Sequence, residues 1–174
     1  MLIDEFLPEY DFVETHDIEI QADAAKVYAA AKEIDFSESA IVRWLLWLRG
    51  MSGRSVKLSD FSRSKFTQLG EIANKELLIG LAGRFWTPFG DMQTVNTKTF
   101  REFNKKGYAK AVWNFSVDNM AEAVRLTTET RIKCLDSASR RSFGFYWMFV
   151  QPFSGLIRME MLRLIKQKAE ANTI

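Results

Sequence analysis

Few residues of this chain could carry out chemistry. Its 174 residues include one histidine, His16, and one cysteine, Cys134. This count largely excludes a His-based catalytic triad and a multi-histidine metal site, and it rules out an intrachain disulfide. His16 lies between Glu14 and Ile18 in an alternating segment, which favours a structural role, with general-base catalysis as the minor alternative. Cys134 ends another alternating segment, and we expect it to be packed rather than reactive.

The polar candidates for a binding site are an arginine and two threonines. Arg84 is followed by Phe85 and Trp86, and a guanidinium among aromatic rings can hold a carboxylate, a phosphate or a phenolate. The alternation of its strand favours the other interpretation, in which Arg84 points outward. Thr128 and Thr130 share the inward side of a predicted strand, where they could hydrogen-bond a ligand or each other.

The glycines do not form a phosphate-binding motif. No segment matches a phosphate loop or a dinucleotide fingerprint. The run Gly80-Leu81-Ala82-Gly83 lies in an apolar strand, where glycine permits close packing. We therefore expect no nucleotide, no other cofactor and no metal.

The composition indicates one aromatic-rich domain spanning residues 1–174. Hydrophobic residues make up 47% of the chain and aromatic residues 13%, including 14 Phe and 5 Trp, so the core is large or hollow. The 24 basic and 22 acidic residues are interspersed, and a net charge of +2 creates no field that favours nucleic acid. We expect no nucleic-acid partner.

Two segments indicate the expected cellular location of the protein. Residues 1–10 contain Asp4, Glu5 and Glu9 and no basic residue, so they do not resemble a signal peptide. The longest apolar tract, Phe143–Ile157, is interrupted by a proline and falls short of the ~20 residues of a spanning helix. We predict a cytoplasmic protein without a transmembrane segment.

Hydrophobic periodicity predicts the elements that must position these residues. A strand is expected over Tyr10–Ile20, then helices over Ala24–Ile34 and Ser39–Leu48. Further elements are a hairpin of Lys65–Ile72 and Glu76–Trp86 turning at residues 73–75, a short strand or turn at Thr97–Phe103, strands over Gly107–Val117 and Val124–Cys134, and a helix from Asp136 or Ser137 almost to Ile174.

Three patterns refine this picture. Along one strand the side facing the helix changes from Ala109 and Ala111 to large aromatic residues, a taper that could line a cavity. On the last strand Glu129 and Arg131 should form an exposed ladder of little energetic value. The C-terminal helix is apolar on nearly every side before Pro152, which predicts burial all round, and is amphipathic after it. We expect a kink or a break near the proline.

Three segments resemble the START-like helix-grip (SRPBCC) superfamily, which includes polyketide cyclases, lipid-transfer domains and the major birch pollen allergen. Ile18–Tyr28 is similar to the passage from the first strand into a helix, Leu126–Ile132 to the last strand, and Tyr146–Arg158 to the C-terminal helix of bacterial cyclase-like members. The resemblance implies an α+β fold in which a curved antiparallel sheet wraps around a long C-terminal helix, with two short helices after the first strand.

The resemblance implies a cavity between sheet and helix, and three functions stay open. The first is a carrier or sensor that binds a hydrophobic small molecule such as a lipid, a quinone or a polyketide-like aromatic. The second is a cyclase or aromatase, in which Arg84 would bind a developing anion and His16, Tyr28 or Tyr146 would exchange a proton. The third is a protein-interaction module with a filled core.

The residues expected to line the cavity combine the aromatic set with the polar candidates. They are Tyr28, Trp44, Trp47, Arg84, Trp113, Phe115, Thr128, Thr130, Tyr146 and Phe149. If Trp44 and Trp47 are exposed instead, they suggest transient membrane contact, with Arg43 and Arg49 beside the lipid headgroups. The oligomeric state stays open.

Overall fold

The computed structural model describes residues 1–33, 66–88 and 90–171. In chain order the elements are α1 (Leu2–Phe6), β1 (Phe12–Ile20), α2 (Ala24–Glu33), β2 (Thr67–Ile72), β3 (Glu76–Gly83), β4 (Met92–Gln93), α3 (Thr97–Glu102), β5 (Ala109–Asn119), β6 (Val124–Cys134) and α4 (Ser137–Ala171). Among these residues no helix is both apolar enough and long enough to span a bilayer.

The strands form one antiparallel sheet in the order β1-β6-β5-β3-β2, with the short β4 paired to β3. The hairpin between β2 and β3 turns where it was predicted, and Asn74 adopts φ 58°, a left-handed conformation that asparagine tolerates. The predicted α+β class, an antiparallel sheet with a long C-terminal helix, is confirmed. Of the two predicted helices after β1, α2 is present and Ser39–Leu48 lies outside the described residues.

Helix α4 begins at a strong cap. The Asp136 carboxylate accepts hydrogen bonds from the backbone N–H of Ser139 at 2.7 Å and from that of Gly107, and these bonds hold the pKa of Asp136 below its usual range. The predicted start near Asp136 is therefore confirmed. The helix then continues through Pro152 to Ala171, so the predicted break is wrong, while the kink stays a prediction.

Both faces of the sheet are covered, which the sequence analysis did not predict. Helices α2 and α4 pack on one face, and α1 and α3 pack on the other around Leu78 and Phe100. All eight residues of β3 are buried as a result. Helix α3 replaces the short strand or turn predicted at Thr97–Phe103. It begins at a capping box in which the side chains of Asn96 and Thr99 each accept a hydrogen bond from the other residue's backbone N–H, a signal that hydrophobic periodicity does not contain.

The second helical layer also corrects the prediction for Glu129 and Arg131. They do not form an exposed ladder: both side chains are largely buried, and Arg131 Nε lies 2.5 Å from Glu129 Oε1. Arg131 also contacts Asp4 at 2.8 Å and donates to the Leu7 carbonyl at 3.2 Å. The arginine therefore attaches the N-terminal segment to the sheet.

The first half of α4 is not buried all round, which corrects another prediction. Phe143 is buried against the sheet, whereas the opposite side of the helix is exposed. We call this exposed set the outer stripe: Phe145, Met148, Phe149, Phe153, Leu156 and Met159. The prediction failed because an apolar residue at every position does not say which side has a partner.

The Cys134 thiol should be inert in the folded protein. It is buried, and burial, followed by the nearby Asp11 charge, raises its pKa to about 12. Since the thiolate is the nucleophile, alkylation by iodoacetamide at pH 8 should be slower by about a hundredfold or more in the native protein than in urea. Equal rates in the two conditions, measured by mass spectrometry, would show that the thiol is accessible.

Candidate functional site

A row of polar side chains crosses the middle of the sheet on the face that α4 covers. The strand register places Glu14 of β1 beside Thr130 of β6, and Thr130 beside Trp113 of β5. The next row on this face runs from His16 through Thr128 to Phe115. We call Glu14, His16, Thr128 and Thr130, together with Ser154 and Arg158 of α4, the polar belt.

Glu14 is the centre of the polar belt. Its carboxylate accepts a hydrogen bond from Ser154 Oγ at 2.8 Å, and the Arg158 Nε atom lies 3.4 Å from the same oxygen. The other oxygen lies 3.1 Å from His16 Nε2. Because an ionised carboxylate only accepts hydrogen bonds, this contact places a proton on Nε2. Only 6% of the Glu14 side chain and 12% of the Arg158 side chain are exposed, so this is a buried ion pair.

Trp113 connects the charged end of the belt to the threonines. The Arg158 guanidinium carbon lies 5.2 Å from the centre of the Trp113 ring, a cation–π contact. The indole Nε1–H donates to Thr128 Oγ1 at 2.5 Å, and the Thr128 hydroxyl donates to the Asn114 carbonyl at 3.0 Å. Thr130 is 8% exposed, and its hydroxyl has no hydrogen-bond partner among the described residues. The Thr130 hydroxyl is therefore a buried polar group that the described residues do not satisfy.

A glycine lets the helix approach this close to the sheet. A Cβ atom at Gly155 would lie 3.2 Å from Glu14 Oε1 and 3.5 Å from His16 Nε2. The first distance is tighter than ordinary van der Waals contact, so even alanine would push the carboxylate or the helix aside. Gly155 thus fixes the separation of α4 from β1 at the belt.

The polar belt separates two apolar clusters between sheet and helix. One contains Phe115, Leu126 and Ile165 with the buried side of α2, and the other contains Ile132 and Phe143. A charged pair between two apolar regions costs desolvation that packed hydrophobic residues would avoid.

Comparisons with known proteins add a distant structural match. A solved structure similar to this chain is that of protein MLL2253 from Mesorhizobium loti. Its TM-score is 0.43 with 12% identical residues, and the match covers 92% of this chain and 98% of that one. No protein-family model and no curated protein matches the sequence.

Four of the predicted cavity residues lie together at the belt: Trp113, Phe115, Thr128 and Thr130. Tyr146 packs beside it against Phe143, with ring centres 5.9 Å apart.

The other predicted residues lie elsewhere. Tyr28 is buried and its hydroxyl donates to Glu71 at 2.8 Å; burial, followed by this carboxylate, raises the tyrosine pKa. Arg84 is exposed, donates from Nε to the Gly107 carbonyl at 3.1 Å and stacks on a tyrosine ring. Phe149 belongs to the outer stripe. Trp44 and Trp47 lie outside the described residues.

Sequence reasoning missed Ser154 and Arg158 and gave Glu14 no role. The residues three, four and seven positions after Arg158, which are Met161, Leu162 and Ile165, are all buried. Residues at these spacings share one face of a helix. An arginine in register with a buried stripe, opposite a glutamate on the inward side of a strand, was the available signal.

Proposed function

We propose that this protein is a member of the START-like helix-grip superfamily that binds a mainly apolar small molecule between the sheet and α4, as a carrier or sensor. The observation that carries the proposal is the polar belt, a buried group of charged and hydroxyl side chains between two apolar clusters. A protein that needed only a packed core gains little from a buried ion pair, because apolar residues of similar volume are as stabilising or more so.

The charges of the belt favour a ligand whose polar group is neutral. Glu14 already neutralises Arg158, so a ligand carboxylate would have to compete with an internal one. A carbonyl or hydroxyl group instead matches Thr130, whose hydroxyl has no partner among the described residues and can donate or accept. Quinones and polyketide-like aromatics are therefore favoured over fatty acids.

A cyclase or aromatase activity is the second candidate, and the Glu14–His16 contact favours it. A histidine held by a carboxylate through one ring nitrogen has a fixed orientation and can transfer a proton at the other. If the protein turns over a polyketide-like substrate, His16→Ala should lower kcat by about a hundredfold or more, the low end of acid–base contributions. Unchanged turnover in this variant would remove the enzyme interpretation of the belt.

The ligand proposal is tested with Trp fluorescence and equilibrium dialysis, using menadione, emodin and palmitate as probes. Saturable binding of menadione or emodin is expected, with weaker binding of palmitate. Thr130→Val should weaken the bound quinone or aromatic about 3- to 10-fold, the value of one hydrogen bond. The same change should leave the unliganded protein as stable or about 1 kcal/mol more stable, because it removes an unsatisfied buried hydroxyl.

The matched control is Thr127→Val, on the opposite face of the same strand. It should leave binding unchanged. Absence of saturable binding with all three probes would contradict the ligand proposal and favour a filled core. Equal affinities for the two valine variants and the unmodified protein would show that the belt is not the binding site.

A further inference from the structure

Lys110 of β5 lies beside a second lysine on the face of the sheet that α1 and α3 cover. The strand register places it directly opposite Lys133 of β6, and like charges in directly opposed positions repel each other. Lys133 has a carboxylate partner, because its Nζ atom lies 3.4 Å from Glu9 Oε2. Lys110 has no ion-pair partner among the described residues, and Ala82, opposite it on β3, carries no charge.

The ammonium group of Lys110 has lost part of its water and gained only weak contacts. Its side chain is half-buried, and Nζ donates to the backbone carbonyls of Phe100 at 3.5 Å and Arg101 at 3.4 Å, both longer than ordinary N–H···O hydrogen bonds. Nζ also lies 5.5 Å from the centre of the Phe100 ring. Arg101 adds a third cation, whose guanidinium donates to the Glu5 carbonyl at 2.9 Å.

The nearby carboxylates are bound to other cations. Arg131 lies two residues before Lys133 on the same side of β6, and its guanidinium is held by Asp4 at 2.8 Å and by Glu129 at 2.5 Å. Lys110 is therefore a half-buried cation that neighbours a second cation without a carboxylate of its own among the described residues. Both conditions favour the neutral amine. Burial, followed by the charge of Lys133, accordingly lowers the pKa of Lys110.

We propose that Lys110 is a nucleophilic lysine at which this protein is acylated by activated acyl compounds such as acyl phosphates. Its neutral amine attacks the carbonyl carbon of the donor, so that an N–C bond forms while the bond from that carbon to the phosphate oxygen breaks. Inorganic phosphate leaves with the electron pair of that bond, and the amine nitrogen gives up a proton to water. The amide product is uncharged, which removes the repulsion with Lys133. This inference does not depend on the ligand proposal, because Lys110 and the polar belt are on opposite faces of the sheet.

The test is incubation of the folded protein with acetyl phosphate at pH 7, with acetylation at each lysine quantified by mass spectrometry. Lys110 should be acetylated at least about threefold faster than Lys106, an exposed lysine in the loop before β5, because a lowered pKa leaves a larger fraction of the amine neutral at this pH. The ratio of the two rates should fall as the pH is raised, since the amine of Lys106 then becomes neutral as well. If Lys110 reacts no faster than Lys106 at pH 7, the proposal is wrong.

A variant separates the effect of the lysine pair from that of exposure. Lys133→Gln removes the neighbouring charge and should slow the acetylation of Lys110 by about twofold or more. The matched control is Lys75→Gln, which neutralises an exposed lysine in the turn between β2 and β3, at the other end of the sheet. It should leave the rate at Lys110 unchanged, and circular dichroism should show that both variants are folded. An unchanged rate in Lys133→Gln, or equal slowing in the two variants, would contradict the proposal.

Discussion

Glu14→Ala should lower the free energy of unfolding by about 3–5 kcal/mol, the largest effect that we expect from any single substitution. The change removes the carboxylate beside the buried Arg158 guanidinium and with it the acceptor of Ser154 Oγ and His16 Nε2. Removing one partner of a buried ion pair is far more costly than the intact pair is stabilising. Urea denaturation monitored by circular dichroism measures the loss.

The control is the double variant Glu14→Leu/Arg158→Met, which replaces both charges by apolar side chains of similar size. It should recover at least about half of the stability lost in Glu14→Ala, because buried ion pairs are often replaceable in this way. If the belt serves a ligand, the double variant should fold and fail to bind the quinone or aromatic probe. A Glu14→Ala protein as stable as the original would show that the contact with Glu14 does not stabilise the fold.

Glu76→Ala should be the second most destabilising change, at about 3 kcal/mol or more. Glu76 is 1% exposed, and its carboxylate accepts the backbone N–H groups of Leu2 and Ile3 and the amide of Asn114. Each donor left unsatisfied in a buried site costs about 1–3 kcal/mol. Since two of the three donors start α1, we also expect this helix to detach and expose the N-terminal segment to proteases.

Limited proteolysis and urea denaturation together check this prediction. Glu122→Ala is the matched control, because that glutamate is exposed in the turn between β5 and β6 and should change stability by less than about 0.5 kcal/mol. Cleavage within residues 1–11 at the same rate in Glu76→Ala and in the control would mean that Glu76 is not needed to hold α1 on the sheet.

The elements could be predicted wherever the sequence has a single clear period. Strand β6 matches its predicted bounds, Val124–Cys134, because alternation and a following cap define both ends. Helix α1 was not predicted, because five residues are too few to show a periodic pattern. The helical layer on the second face of the sheet was not predicted for a related reason. Glu76 and Arg131 have the sequence pattern of surface charges, and only the folded structure shows that they bind the N-terminal segment.

The candidate site was predicted from its aromatic and hydroxyl residues but not from its charges. Trp113 and Thr130 were found because alternation assigns each to one side of a strand. The Glu14–Arg158 contact joins residues 144 positions apart on different elements, and no local pattern encodes it. Which side of α4 is covered is also a property of the packing, and so Phe149 was assigned to the cavity although it lies on the outer stripe.

The pairing of the first strand with the last one also affects how the chain folds. Phe12 pairs with Ile132, so β1 cannot pair with β6 during translation until residues 124–134 have left the ribosome. The apolar side of β1 stays uncovered by α4 for longer still, until that helix has been synthesised. Pairings this distant in sequence slow folding, and they leave unpaired strand edges open to aggregation meanwhile. We therefore expect the newly made chain to complete its sheet late and to depend on chaperones more than a helical protein of the same length.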